Sequence, residues 1–376
     1  MNGRERVCAA FSAEGAPEIA AVIPYEGIYV RDHWSQLTPR PWWAQYAPSV
    51  EEQCAWRWDA ARAIGQDWLD LPIGAPRDDR AATSLQERTG RIYLVDARTG
   101  AARQLSRPSV GGWPRGGLAS VHPAHPPHTA DELDARIGSP VPLDRILAGG
   151  CADLPRRILS SWGASLYPVG YVPAPLWSCY AVWGFEGMML QVAQHPALVQ
   201  HAVERYTAHA LQRVQLYAQV GALGLWLEDC MTDMVSPEAF RALNLPYLRR
   251  ITAVARDKGL HSIYYYCGNP AGKWELLLDT GADALALEES KKGFAIDVEE
   301  VVERVGGCMA VLGNLDAIRL LPHVDEEVLR AEIARQIAAG RRNGSRFIMS
   351  LGSPVTPATS AERVRRYCEL VHELGR

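Results

Sequence analysis

A small set of reactive side chains in this chain stands at the ends of apolar runs. Cys267 lies near the end of SIYYYCG (262–268), Glu288 and Glu289 close ALALEE (284–289), and Glu228 and Asp229 close LGLWLED (223–229). A thiolate is a nucleophile and a soft metal ligand. A carboxyl group can hold or pass a proton. Residues two apart on a strand share a face, so Tyr265 should lie beside Cys267. Adjacent residues face opposite ways, so only one of Glu228 and Asp229 should point to the interior of a closed sheet. His122, His125 and His128 lie in a Pro-rich loop that fixes no common geometry, and they are not read as metal ligands. Trp42, Trp43, Trp56 and Trp58 are read as packing residues, and Cys308, at the start of a strand, as core.

The runs that carry these residues need a scaffold. MAVLGN (309–314) and RFIMSLG (346–352) continue the series of apolar strands, and GASLYPVGYV (163–172) and EIAAVIPYEG (18–27) precede it. Between them lie amphipathic helix candidates at 195–221, 236–259, 325–340 and 360–375. Ser236 is an N-cap followed by Pro237 at the first helical position, and Gly221 is a helix stop. Strand, helix, Gly and strand in series give a parallel sheet with right-handed crossovers. The first part of the chain is rich in Pro and Trp. RIYLVDARTGAARQL (91–105) reads as two short strands joined around Thr99 and Gly100.

The chain has 376 residues, which suits one (β/α)₈ barrel with an N-terminal elaboration. One domain over 1–376 is expected. Residues 1–150 would supply a first strand plus a lid or insertion, and 151–376 most of the barrel. The formal net charge of −4 gives no footprint for nucleic acid or an anionic membrane. No stretch is apolar for the roughly 20 residues of a membrane span. The charged N-terminal segment has no signal-peptide core, and eight dispersed cysteines suggest reduced thiols. A cytoplasmic location is expected.

Over about 200 residues the C-terminal half resembles the uroporphyrinogen decarboxylase superfamily. The landmarks, in order, are Glu228-Asp229, SPEAF…LPY (236–247), YYYCGNP (264–270), GADALALEE (281–289), GNLD (313–316) and LGSPVTPATSAERV (351–364). The resemblance implies a TIM barrel with its site at the C-terminal ends of the strands. It is nearest to the branch of corrinoid-linked methyltransferases, whose zinc is held by a His, a Cys two residues on, and a second Cys in the last strand's loop. Here Tyr265 and Ser353 replace two of those three, and Cys267 remains. Glu288 matches a further ligand of the methionine synthase relatives.

The resemblance therefore implies a methyltransferase-type enzyme on a small molecule, with methylcobalamin on a separate corrinoid protein. Any Zn²⁺ would be held by Cys267, Glu288 and Glu228. Asp229, Tyr265 and Ser353 would be the catalytic acids, bases and hydrogen-bonding groups, and Asn269, Asn314 and Asp316 the cofactor-binding residues. The alternatives are a metal-free decarboxylase or lyase on the same barrel, and a non-catalytic binding homologue. The heme-pathway decarboxylases carry an N-terminal arginine motif for substrate carboxylates. The comparable segment here, YVRDHWSQL (29–37), has the single Arg31.

Overall fold

The computed structural model describes residues 1–111, 123–290 and 293–376. His122 lies outside the described residues. Strands β1 (Ala20–Ala21) and β2 (Trp68–Asp70) are followed by β3 (Thr83–Arg88), β4 (Arg91–Asp96) and β5 (Ala102–Gln104). Then come β6 (Tyr167–Pro173), β7 (Gly224–Asp229), β8 (His261–Tyr266), β9 (Ala284–Leu287), β10 (Ala310–Leu312) and β11 (Phe347–Met349). Eight of these form one parallel sheet in the order β1-β11-β10-β9-β8-β7-β6-β2. Helices cross between successive strands, as expected of a parallel sheet buried on both faces. This is the TIM-barrel architecture expected from the strand–helix rhythm.

The sheet returns on itself where β1 meets β2, and this seam is thin. One backbone bond crosses it, from the Asp67 amide to the Ala21 carbonyl at 2.9 Å. Side chains complete it. The Asp67 carboxylate accepts from the Ala21 amide at 2.7 Å, from Arg6 at 3.1 Å and from His372 at 2.8 Å. Gln66 accepts from the Ile23 amide at 2.9 Å, and the Trp68 indole donates to the Ile23 carbonyl at 3.2 Å. Asp67 is buried, so these partners replace the water it has lost.

The helix Gly3–Phe11 packs against the N-terminal ends of the strands. Its Phe11 ring stacks on His261 with centroids 4.2 Å apart. Gly3 lies so near Asp67 that an added Cβ would come within 2.8 Å of the Asp67 backbone.

The C-terminal half follows the sequence closely. Helix Pro196–Val220 ends on Gly221 in the left-handed region (φ 96°). Helices Glu326–Arg342 and Ala361–Leu374 start on the side-chain caps Asp325 and Ser360. One expected helix is two: Pro237–Leu243 and Leu245–Asp257 are separated by Asn244, which is not helical. Pro246 explains the break, because it has no amide to donate and its ring crowds the preceding turn. Cys308 is exposed, against expectation, because it belongs to the Gly306-Gly307 turn and β10 begins at Ala310.

The N-terminal part differs more. Helix Val50–Ile64, expected within a covering insertion, is in the barrel wall. It packs against helices Asp153–Trp162 and Ala361–Leu374, and Trp58 stacks on Trp162 at 4.8 Å. The expected hairpin pairs β4 with β5, and a further strand, β3, joins it through a turn at Thr89 and Gly90, both at positive φ.

The seam generates a stability prediction. Asp67→Ala leaves Arg6, His372 and the Ala21 amide without their shared acceptor, and should cost about 3 kcal/mol or more in a denaturant titration. A loss within the scatter of surface substitutions would show that the seam does not depend on this carboxylate.

Candidate active site

Above the seam, at the C-terminal end of the barrel, lies a cavity of about 140 Å³. Period-two alternation brings its walls together: Trp68 and Asp70 from β2, Val169 and Tyr171 from β6, and Trp226 and Glu228 from β7. The loop after β1 adds Tyr25 and Glu26. The Trp68 and Trp226 rings meet edge to face at 5.6 Å, and Trp226 stacks on Tyr265 at 4.7 Å. Tyr25 meets the Tyr265 ring at 79° and 5.7 Å. The result is an aromatic floor beneath a layer of acids.

Among the described residues, three carboxyl groups line this cavity and no lysine or arginine does. Burial pushes Glu228 up to about 7, while hydrogen bonds from Cys230, Tyr25, Tyr171 and Trp226 pull the other way. Burial also pushes Glu26 up to about 7, and the neighbouring Asp70 charge adds to it. Asp70 is raised by burial too, with Arg57 opposing. Its side chain is accessible although it is surrounded by protein, because it faces the cavity. Groups with pKa near neutrality suit proton transfer.

A second cluster adjoins Glu228. The Tyr25 hydroxyl donates to Glu228 at 3.2 Å and lies 3.5 Å from the Cys267 sulfur. The Cys230 and Cys267 sulfurs are 2.8 Å apart, and Cys230 is 3.4 Å from Glu228 Oε1. Burial raises the Cys230 thiol well above its ordinary value, which favours the protonated form. Tyr25 sits at φ 57°, an uncommon conformation for a non-glycine residue, and this turn starts the helix that follows β1.

Of the residues singled out in the sequence, Glu228 and Cys267 come together at this mouth. Asp229 faces the other way, where Tyr264 and Asn244 each donate to it at 2.7 Å. It thus supports the layer between β7 and the helices. The Tyr265 ring is buried behind Trp226 and does not line the cavity, and its hydroxyl donates to the Gly352 carbonyl at 3.0 Å. Ser353 is buried next to that carbonyl, and Gly352 packs on Glu289. Glu288 is buried at the end of β9.

The residues expected to bind a cofactor have structural partners instead. Asn314 donates to the Glu288 and Ile296 carbonyls at 3.1 and 2.9 Å and fixes the loop after β9. Asp316 accepts from the amides of Ile318 and Arg319, closing a turn. Asn269 accepts from the Ala271 amide and lines a separate surface hollow with Pro237 and Trp274.

A zinc ion does not fit these donors. Among the described residues no group of three or more His, Cys, Asp and Glu side chains is arranged to hold a metal. Of the three residues expected to hold zinc, Glu228 and Cys267 meet at the mouth through Tyr25, while Glu288 is buried at the end of β9 and does not line the cavity.

The sequence pointed to neither Tyr25, Asp70, Trp68, Trp226 nor Cys230. Cys230 carried a usable signal, since it stands two residues after Glu228 and so on its side of the chain.

Residues 136–374 match the model of the family described as Uroporphyrinogen decarboxylase (URO-D). The uroporphyrinogen decarboxylase of Pseudomonas fluorescens is 30% identical over 158 residues, 41% of this chain and 42% of that protein. Uroporphyrinogen decarboxylase 2, chloroplastic, of Arabidopsis thaliana is 24% identical over 66% of this chain and 62% of its own length. The chain spans about half the length of the curated relatives it matches. Among solved structures, a methyltransferase from Methanosarcina mazei shares the fold with a TM-score of 0.67 at 16% identity, over 99% of both chains.

The raised Glu228 pKa fixes the sign of a pH effect. Between the ordinary carboxyl range and about 7, the folded chain holds a proton on Glu228 that the unfolded chain has released. Stability therefore falls as pH rises through that window. Glu228→Gln should raise stability at about pH 8 by an amount on the order of 1–3 kcal/mol and have a much smaller effect at about pH 5. Urea midpoints at the two pH values check this. An equal effect at both would mean that Glu228 titrates normally.

Proposed function

The chain belongs to the uroporphyrinogen decarboxylase family, and from that premise we propose that it is a methyl-group transferase acting on a small molecule held in the mouth cavity. The observation that carries this reading is Glu228. It is a buried carboxyl, raised to about 7, hydrogen-bonded to Tyr25 and opening on an aromatic cavity. In methyl transfer the bond from carbon to the heteroatom breaks and its electron pair stays on the heteroatom. That atom needs a proton, and Glu228 is placed to give one. Tyr25 steadies the carboxylate that remains. The aromatic rings beside Glu228 lower the local polarity and so strengthen both interactions.

The methyl acceptor in this reading is a corrinoid on a separate carrier protein, which supplies the nucleophile. A corrin ring is far larger than a cavity of about 140 Å³, and no residue of the mouth is assigned to hold it. Zinc is not part of the reading, because the donors do not fit it.

Decarboxylation of uroporphyrinogen is the less favourable reading. Its substrate bears several carboxylates, which need paired guanidinium groups. Here, among the described residues, the lining offers Glu26, Asp70 and Glu228, with no cation. Arg31 lies against its neighbour Asp32 at 2.8 Å. Decarboxylation of another acid would use the same proton donor, and the family match favours keeping it as the second reading.

The test uses free cob(I)alamin as acceptor with methanol, methoxybenzene and tetramethylammonium as donors, followed by the absorbance of methylcobalamin. Turnover of at least one donor is expected. Glu228→Gln should lower kcat by roughly a hundredfold or more, and uroporphyrinogen should lose no carbon dioxide. Carbon dioxide release from uroporphyrinogen, with no methylcobalamin formed from any donor, would overturn the proposal.

A further inference from the structure

We propose that the mouth cavity is a receptor for a small organic cation of the methylated ammonium class, packed on the indoles of Trp68 and Trp226 and beside the carboxylate of Asp70, with Glu228 in its protonated form. This inference rests on the reading of the mouth as the substrate site and names the class of substrate it takes.

Among the described residues, Glu26, Asp70 and Glu228 line the cavity, and no lysine, arginine or histidine does. Arg57 is the cation whose charge reaches Glu26 and Asp70. It lies over the Trp56 ring, 3.9 Å from its centroid, and donates to Gln53, outside the lining. Arg213 acts on the Tyr171 wall, so among the described residues two guanidinium groups stand against three carboxyls, which leaves an excess of negative charge once these groups ionise. The carboxyls also differ in their partners. Gln66 donates to Glu26 at 2.7 Å, and Tyr25 donates to Glu228. Among the described residues no side chain donates to Asp70, which receives the Leu71 amide and faces the cavity. That is the arrangement of a carboxylate left open for a ligand.

The walls then say what kind of cation. An ammonium with N–H groups wants acceptors at hydrogen-bond distance on several sides. A methylated ammonium has few or no donors, and its charge is spread over methyl groups that pack well on aromatic rings. Trp68, Trp226, Tyr25 and Tyr171 provide such rings around the acids. Size agrees as well. An apolar cavity of about 150 Å³ holds benzene, and tetramethylammonium has one heavy atom fewer. The cavity here is about 140 Å³. The chemistry also closes. When a quaternary ammonium gives up a methyl group, the C–N electron pair stays on nitrogen. The amine leaves neutral and can then take the Glu228 proton.

The experiment measures binding by calorimetry at constant ionic strength, on the full chain. The probes are tetramethylammonium, tert-butanol and trimethylacetate, three molecules of similar shape and different charge. Tetramethylammonium should bind at least tenfold more tightly than tert-butanol, and trimethylacetate should not bind. Asp70→Asn keeps the side-chain shape and should weaken tetramethylammonium about tenfold while leaving tert-butanol unaffected. Trp68→Phe, which keeps a ring in place, should weaken it less than Trp68→Leu. No tetramethylammonium binding, equal or tighter binding of either isostere, or an unchanged affinity in Asp70→Asn overturns the inference. Methyl transfer from a neutral ether without tetramethylammonium binding would remove this inference and leave the methyltransferase reading standing. Tetramethylammonium binding without methyl transfer from any donor would do the reverse.

Discussion

Everything at the mouth of this barrel depends on how a sheet is closed where two of its strands barely meet. β1 is two residues long and β2 three, and a single backbone bond joins the segments around them. The Asp67 carboxylate compensates by accepting from the Ala21 amide, from Arg6 in the N-terminal helix and from His372 in the C-terminal helix. The seam is thus held by a buried acceptor that ties together both ends of the chain. Because the strands end so soon, the space above them is not filled by further ladder pairs. Trp68 spans it by donating to the Ile23 carbonyl, and the cavity opens beside that indole.

The acids at the mouth follow from the same geometry. Asp70 is two residues after Trp68 and Glu228 two after Trp226, so each carboxyl stands one layer above an indole on the same face. Burial raises all three carboxyls, with Arg57 opposing at Glu26 and Asp70. Function and stability therefore pull against each other here. Neutralising these groups would relieve the fold, while their charge and protons give the site its chemistry, as is common at active sites.

Much of the barrel was legible in the sequence because β6 to β11 are apolar runs, and long helices stand before β7, β8 and β11. The apolar run LGLWLED and the stop at Gly221 mark β7 and the helix before it to within a residue. β2 was not legible. Trp68–Asp70 is too short to show a period, and it lies among tryptophans that read as an insertion. Missing β2 meant missing Asp70 and Trp68, and hence the cavity. Tyr265, Asn314 and Asp316 stand where the family places functional groups, yet their polar atoms are engaged by Gly352, by the loop carbonyls and by turn amides. Alternation alone could say that only one of Glu228 and Asp229 faces inward. The structure decides for Glu228, because Asp229 is held by Tyr264 and Asn244 on the outer side.

On this reading the acid-and-indole cavity above the seam is where the protein holds its ligand, and a crystal structure grown with saturating tetramethylammonium is the test. Density for the cation is expected in the cavity, against the Trp68 and Trp226 rings and within contact of the Asp70 carboxylate. Density for the cation only elsewhere, with the cavity filled by ordered water, would contradict it.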